Sequence, residues 1–201
     1  ITAHLREDRR HIQDHDMDRL ARSVGTVLNL EMACTDEMLD IAIRLKPHQV
    51  TLVPERREEI TTEGGLDVVR ELARIRRGIK RMNTAGIRTS LFIAPDEAAV
   101  RASLDVGAVA IELHTGTYAH HPGESAPLPA LVQCARLGKS LRLAVHAGHG
   151  LTVANVAPVA RIPDIEELNI GHSVVSRAIF VGLATAVREL RDVMDSARAS
   201  S

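Results

Sequence analysis

LRLAVHAGHG, residues 141–150, is a short apolar run that ends in histidine and glycine and is followed by a segment of helical periodicity. This order is typical of a buried strand of a parallel sheet that turns directly towards the next helix. The same pattern recurs along the chain. It predicts seven strands, at residues 1–5, 26–31, 49–53, 88–94, 108–113, 141–147 and 166–170.

Helical periodicity occupies the intervals, near residues 16–23, 35–45, 66–85, 96–105, 127–138, 152–160 and 173–197. Strands that alternate with helices through short connections form parallel sheets. No GxGxxG motif follows the first strand, which disfavours a dinucleotide-binding open sheet. A (β/α)8 barrel typically has ~250 residues. Seven βα units in 201 residues therefore predict an α/β fold, a TIM barrel that occupies residues 1–201 as one domain.

The sequence opens at Ile1, inside what resembles a strand, so we expect the first βα unit of the barrel to be missing from this stretch. Removing one strand from a closed barrel leaves two edges with unpaired backbone groups. We therefore expect residues 1–201 alone to be inactive. We also expect any preceding segment to supply a strand between residues 1–5 and 166–170.

The composition limits the partners and the compartment. Aromatic residues make up only 1% of the chain and the net charge is −1, so we expect neither a nucleic-acid nor a membrane partner. The apolar runs are too short to cross a bilayer. The two cysteines, Cys34 and Cys134, lie in no CxxC spacing, which disfavours a disulfide scaffold and favours a cytoplasmic location.

Ionisable side chains stand at the ends of five of the predicted strands. Side chains two residues apart on a strand share a face, so three pairs should project together: His4 with Arg6, Asn29 with Glu31, and Glu112 with His114. Barrel enzymes place their chemistry at this carboxyl end. We therefore predict that His4, Glu31, Glu112 and His149 line a single pocket.

Glycine-containing turns follow the last two strands, at residues 147–151 and 169–173. In phosphate-binding barrels these positions supply backbone N–H groups at helix N-termini, so they predict a phosphate site. The charged loop at 54–65 is compatible with a lid and with a solvated surface loop. His15, His48, His120 and His121 fit no ligand spacing and are interpreted as surface residues, and no metal site is predicted.

Seven short motifs occur in an order that resembles the pyridoxine 5′-phosphate synthase family. They are HLREDRRHI at 4–12, NLEMA at 29–33, LVPE at 52–55, TTEGGLD at 61–67, IELHTG at 111–116, AGHGL at 147–151 and LNIGH at 168–172. The resemblance implies condensation of 3-amino-2-oxopropyl phosphate with 1-deoxy-D-xylulose 5-phosphate by acid–base catalysis, without a metal or redox cofactor. It also implies assembly into homo-octamers.

The resemblance assigns roles position by position. It makes His4 and Glu31 proton acceptors, His149 a proton donor and Glu112 a stabiliser of charge in the transition states. It places the deoxyxylulose phosphate against Arg6, His11 and Thr61. It places the amino-ketone phosphate against Gly150, Gly171 and His172.

Two departures and two alternatives accompany the resemblance. The family's first-strand Asn-x-Asp-His run and an arginine have no counterpart here, and His146 stands where asparagine is expected. A different phosphate-binding barrel, an isomerase or aldolase, is the first alternative. The three lysines, Lys46, Lys80 and Lys139, lie on or after predicted helices, which disfavours a Schiff-base aldolase. The second alternative, an inactive barrel remnant, would not be expected to keep an ionisable rim.

Overall fold

A computed structural model describes residues 1–61, 64–120 and 127–199. Seven parallel strands form one sheet in sequence order and curve into a nearly closed barrel. The predicted α/β barrel fold is confirmed. Each strand overlaps its predicted segment, and three of the seven end one residue beyond it. The strands are β1 (Thr2–His4), β2 (Asn29–Met32), β3 (Gln49–Leu52), β4 (Arg88–Ile93), β5 (Ala110–His114), β6 (Ala144–Gly148) and β7 (Glu167–Asn169).

Helices follow the strands and cover the outside of the sheet. A short 3₁₀ helix (Arg57–Glu59) lies in the loop after β3. The α-helices in the described ranges are α1 (Asp14–Ser23), α2 (Asp36–Leu45), α3 (Leu72–Thr84), α4 (Glu97–Asp105), α5 (Gly116–His120), α6 (Pro127–Ser140), α7 (Val156–Ala160), α8 (His172–Val181) and α9 (Leu183–Ala199).

Three of the helix predictions were wrong in their bounds. The helix predicted at 66–85 begins at Leu72, because Leu66 is fully buried and its N–H donates to the Phe92 carbonyl oxygen at the end of β4. The helix predicted at 152–160 begins only at Val156. The helix predicted at 173–197 is two helices, separated at Gly182, whose φ of +81° is a left-handed conformation that glycine adopts without strain.

The two faces of each strand carry different side chains. In the parallel register His4 is beside Glu31, and Glu112 is beside His146, so polar side chains point into the barrel. The alternate positions point outwards towards the helices, and they are aliphatic and almost completely buried, as at Leu30, Leu91 and Val145. Helical methionines such as Met17, Met38 and Met82 pack into the same layer. The hydrophobic core therefore lies between sheet and helices.

The edge strands of the described sheet are β1, which pairs with β2, and β7, which pairs with β6. The Thr2 hydroxyl donates to the Asn169 side-chain oxygen at 2.9 Å across the gap between them. The edge strands β1 and β7 are thus connected by a side-chain hydrogen bond and not by backbone pairing, so the barrel is nearly closed. In the described part of the chain, no helix combines the length and the apolarity that crossing a membrane requires.

Candidate active site

A cavity of about 1060 Å³ lies at the carboxyl ends of the strands, and we call it the rim cavity. Eight of the ten predicted site residues line it: His4, Arg6, Glu31, Glu112, His149, Gly150, Gly171 and His172. The other two do not line it. His11 is exposed ahead of α1, and the Thr61 hydroxyl donates to the Gly64 carbonyl oxygen at 2.7 Å. The predicted convergence of His4, Glu31, Glu112 and His149 on one pocket is confirmed.

His4 and Glu31 form a pair because neighbouring strands place them side by side. Nδ1 of His4 lies 3.9 Å from Oε2 of Glu31. Burial raises the pKa of Glu31, and the positive charge that His4 can carry opposes this effect. A carboxyl group with a raised pKa exchanges protons closer to neutral pH than an ordinary glutamate, which suits it to acid–base catalysis.

Glu112 occupies the floor of the rim cavity and is only 2% exposed. The Asn169 side-chain amide donates to Oε2 of Glu112 at 2.7 Å. Burial raises the pKa of Glu112 well above its ordinary value, the negative charge of Glu31 raises it further, and the Asn169 hydrogen bond opposes the shift. The two carboxyl groups therefore resist being ionised together, and one can hold a proton that the other releases.

A chain of hydrogen bonds inside the barrel fixes Asn169. Its side-chain oxygen accepts from the Thr2 hydroxyl, which in turn accepts from the Asn29 side-chain amide at 3.3 Å. The Asn29 side-chain oxygen accepts from the Thr51 hydroxyl at 3.0 Å. This chain orients the Asn169 amide so that its NH₂ group faces Glu112. Sequence reasoning missed Thr2 and Thr51 as supports of the site, because threonine on a strand is common and carries no signal of its own.

Gly148 makes room for Glu112, which sequence reasoning also missed. A Cβ atom on Gly148 would lie 2.4 Å from Oε1 of Glu112 and 2.8 Å from the Asn169 carbonyl oxygen. Neither contact is sterically possible without movement. Packing against Glu112 therefore requires glycine at position 148, the first glycine of the AGHGL motif.

His149 is held in an uncommon backbone conformation at the end of β6. Its φ is +87°, which is unfavourable for a residue with a side chain, and the Thr115 hydroxyl lies within 2.7 Å of the Gly148 carbonyl oxygen and 2.5 Å of that of His149. The ring stacks on His114 with the centroids 4.7 Å apart. Burial lowers the pKa of His149, and the charge on His120 lowers it further. Both effects favour the neutral form of His149.

One histidine interpretation needs correction. His120 was interpreted as a surface residue, and although it is exposed it also lines the rim cavity, because α5 follows directly after β5. His114 was expected to share a face of its strand with Glu112, and both residues lie two positions apart in β5. The His114 ring packs beside His149 and against the edge of Phe92, whose ring centroid is 5.2 Å away. His121 lies outside the described residues.

The N-terminus of α8 opens onto the rim cavity. Gly171 is its N-cap residue and His172 its first residue, and no heavy atom comes within 4 Å of where a Cβ on Gly171 would be. An anion can therefore approach the free N–H groups of α8 closely. The expectation that Gly150 also precedes a helix directly was wrong, since α7 begins six residues later. Gly150 has a φ of +78°, and a Cβ there would lie 2.8 Å from that of Ala119.

Lysines do not contribute to the rim cavity. Lys46 caps the end of α2, Lys80 lies in α3 and Lys139 lies in α6. The described lining of the cavity therefore offers no lysine as the nucleophile of a Schiff-base aldolase. Within residues 1–61, 64–120 and 127–199, no group of three or more histidine, cysteine, aspartate or glutamate side chains is placed to hold a metal ion. The chemistry that the described cavity supports is proton transfer beside an anion site.

Comparisons with solved structures support the barrel fold. The 3-hexulose-6-phosphate synthase of Salmonella typhimurium matches with a TM-score of 0.64 at 15% identity, over 90% of this chain and 79% of that one. The tryptophan synthase α-subunit of Pyrococcus furiosus matches with a TM-score of 0.59 at 13% identity, over 94% of this chain and 72% of that one. At these identities the likeness concerns the fold alone.

Comparisons of sequence are more specific. Residues 1–196 match the family described as "Pyridoxal phosphate biosynthesis protein PdxJ". The pyridoxine 5′-phosphate synthase of Zymomonas mobilis is 52% identical over 99% of this chain and 78% of its own length. The enzyme of the same name from Trichlorobacter lovleyi is 55% identical over 94% of this chain and 81% of its own length. The chain therefore belongs to the PdxJ family of pyridoxine 5′-phosphate synthases.

Proposed function

We propose that the rim cavity condenses 3-amino-2-oxopropyl phosphate with 1-deoxy-D-xylulose 5-phosphate to give pyridoxine 5′-phosphate, inorganic phosphate and water. The observation that carries this proposal is the meeting of His4, Glu31, Glu112 and His149 in one cavity beside the N-terminus of α8, in a chain of this family. Closing a pyridine ring from these substrates requires carbonyl addition, loss of water and several proton transfers. Each of these steps is accelerated by positioned acid–base groups.

Glu31 and His4 are the proposed proton acceptors. They adjoin each other on neighbouring strands, and the raised pKa of Glu31 lets it return a proton that it has taken. A base of this kind is needed when the substrate amine adds to a carbonyl and when a proton is removed from carbon beside a carbonyl.

Glu112 is proposed to stabilise negative charge that develops on a substrate oxygen. Its raised pKa keeps it protonated at a higher pH than an ordinary glutamate, so it can donate a hydrogen bond. The hydrogen bond from Asn169 fixes one oxygen and leaves the other for the substrate. A donor that is already oriented requires no rearrangement when the charge appears.

His149 is the proposed proton donor. Its lowered pKa favours the neutral form, so the proposed mechanism requires His149 to take up a proton before it donates one. A bound phosphate at the neighbouring α8 N-terminus would favour that step, because a nearby negative charge raises the pKa of an imidazole. Phosphate binding and the supply of this proton are therefore linked in the proposed mechanism.

The test uses the purified complete enzyme, residues 1–201 together with any segment that precedes them. It is incubated with both substrates, and pyridoxine 5′-phosphate is followed by liquid chromatography and mass spectrometry, together with released phosphate. We expect one phosphate per ring formed, and no product when either substrate is omitted. The control is Lys139→Gln, which removes an exposed ion pair between Lys139 of α6 and Glu166 and should leave turnover unchanged. Consumption of the substrates without ring formation would favour a different phosphate-handling barrel enzyme.

The family resemblance also supports a cytoplasmic enzyme that assembles into homo-octamers and binds small phosphorylated molecules. An exposed apolar surface on α8 and α9, formed by Val175, Ile179, Phe180, Leu183 and Val187, is compatible with subunit contacts. Sedimentation velocity would measure the assembly. A mass of eight chains would support the octamer, and a single-chain mass at micromolar concentration would contradict it.

A further inference from the structure

The ring of His4 lies between two carboxyl groups that differ in their access to the rim cavity. Nε2 of His4 is 3.0 Å from Oε1 of Glu55, and Nδ1 is 3.9 Å from Oε2 of Glu31. Glu31 lines the rim cavity, whereas Glu55 does not, and the Glu55 side chain is only 4% exposed. The two ring nitrogens therefore face a buried carboxyl group on one side and the cavity on the other.

Glu55 is fixed by the protein. Its second oxygen, Oε2, accepts from the backbone N–H of Glu7 at 2.9 Å. Its own backbone N–H donates to Glu59 at 3.0 Å, and Glu59 is paired with Arg74 at 3.1 Å. These contacts connect the loop after β1, the loop after β3 and helix α3. The Glu55 carboxylate is therefore in place before any substrate binds.

A carboxylate can only accept hydrogen bonds, so its contact with Nε2 requires a proton on that nitrogen. In the neutral ring the lone pair is then on Nδ1, the atom that faces Glu31. We propose that Glu55 is a positioning residue that fixes the Nε2–H tautomer of His4, so that Nδ1 is the atom that exchanges protons in the rim cavity. This inference rests on the proposed function, because it names the reactive atom of a proposed proton acceptor.

A purely structural role of Glu55 has to be distinguished from positioning. Its bond to the Glu7 N–H could serve only to hold two loops together. In Glu55→Gln the side-chain oxygen can still accept from the Glu7 N–H, while the amide NH₂ would face Nε2 of His4. An NH₂ group donates, so this variant should keep the loop contact and reverse the tautomer of His4.

The direct test needs no substrate. Long-range ¹⁵N–¹H spectra of protein labelled in histidine distinguish the Nδ1–H from the Nε2–H tautomer at a pH where the ring is neutral. The His4 signals are assigned by their loss in His4→Gln. We expect the Nε2–H tautomer in the wild type and Nδ1–H in Glu55→Gln. A wild-type His4 in the Nδ1–H form would overturn the proposal, whether or not the protein makes pyridoxine 5′-phosphate.

Steady-state kinetics provide a second test of the positioning role of Glu55. We expect Glu55→Gln to lower kcat by at least about tenfold, as expected when a catalytic histidine is held in the wrong tautomer, while KM changes far less. The matched control is Glu58→Gln, an exposed position in the 3₁₀ helix of the same loop, which should retain wild-type kcat. Equal kcat in the two variants would refute the positioning role.

A second variant serves if Glu55→Gln does not fold. Glu55→Asp keeps the negative charge at a longer distance from His4 and should retain the Nε2–H tautomer. Loss of that tautomer in Glu55→Asp would overturn the assignment.

Discussion

The inner and outer faces of the sheet are both buried, yet they are built from opposite kinds of side chain. On β2 the inward residues are Asn29 and Glu31, and the outward ones are Leu30 and Met32. Asn29 is hydrogen-bonded to Thr2 and Thr51, which offsets the cost of burying it, and Glu31 lies beside His4. The outward groups pack between sheet and helices. Stability and chemistry are thus assigned to different faces of the same strands, and substitutions should separate them.

The largest effect on the inner face is expected for Glu31→Gln. The change keeps the shape of the side chain and removes the base, and general acid–base catalysis contributes ~10²–10⁴-fold to rate. We expect kcat to fall within that range, with much smaller changes in KM and in the free energy of unfolding. Steady-state kinetics and urea denaturation measure the three quantities. An unchanged kcat would assign the proton transfer to another group.

The matching change on the outer face is Leu91→Ala in β4, whose side chain is fully buried. Truncating a buried leucine costs about 2–5 kcal/mol through lost burial and the cavity left behind. We expect that loss in the free energy of unfolding, with kcat per folded molecule near wild type. Leu104→Ala, at a position 40% exposed on α4, is the control and should change stability by under about 0.5 kcal/mol. Similar losses in both variants would contradict the assigned core.

Gly148→Ala tests the contact between the end of β6 and the Glu112 side chain. The added methyl group would overlap with Oε1 of Glu112 at 2.4 Å and should cost about 1–3 kcal/mol through overpacking. We also expect kcat to fall, since Glu112 must move. Gly25→Ala is the control, because nothing lies within 4 Å of the added atom. A Gly148→Ala variant as stable and active as Gly25→Ala would show that Glu112 has space to move.

The smallest effect concerns pH. The pKa of Glu112 is raised in the folded state from an ordinary value of 4.5, so its contribution to stability is fully present below that pH and is lost as pH rises towards the folded pKa. The slope cannot exceed about 1.4 kcal/mol per pH unit for one group. Glu112→Gln, which does not titrate, should therefore become more stable relative to wild type as pH rises above 4.5. Parallel stability curves for the two proteins would contradict the raised pKa.

The strands and most of the rim were predictable because a local pattern encodes them. An apolar run that ends in histidine, glutamate or glycine specifies both a buried strand and the chemistry at its end. His149 and Gly171 were found in this way. The break at Gly182 was missed because apolar periodicity continues through it, and a single glycine inside a helical pattern often leaves the helix intact.

The supports of the site were not predictable, because they join residues that are far apart in sequence. Thr2 and Asn169 are 167 positions apart, and Glu55 lies 51 positions from His4. Such contacts exist only after the strands have closed around one axis. The sequence contains the residue types, but the partner of each is set by the curvature and register of the sheet.

The most direct test of this account is a crystal structure with pyridoxine 5′-phosphate, the proposed product. We expect its phosphate at the N-terminus of α8, bound by the N–H groups that follow Gly171, and its ring in the rim cavity within hydrogen-bonding distance of Glu31 or Glu112. The outer face should be unchanged. A product molecule bound away from the carboxyl ends of the strands, or a rim cavity that remains empty at saturating product, would contradict the assignment of the chemistry to the inner face.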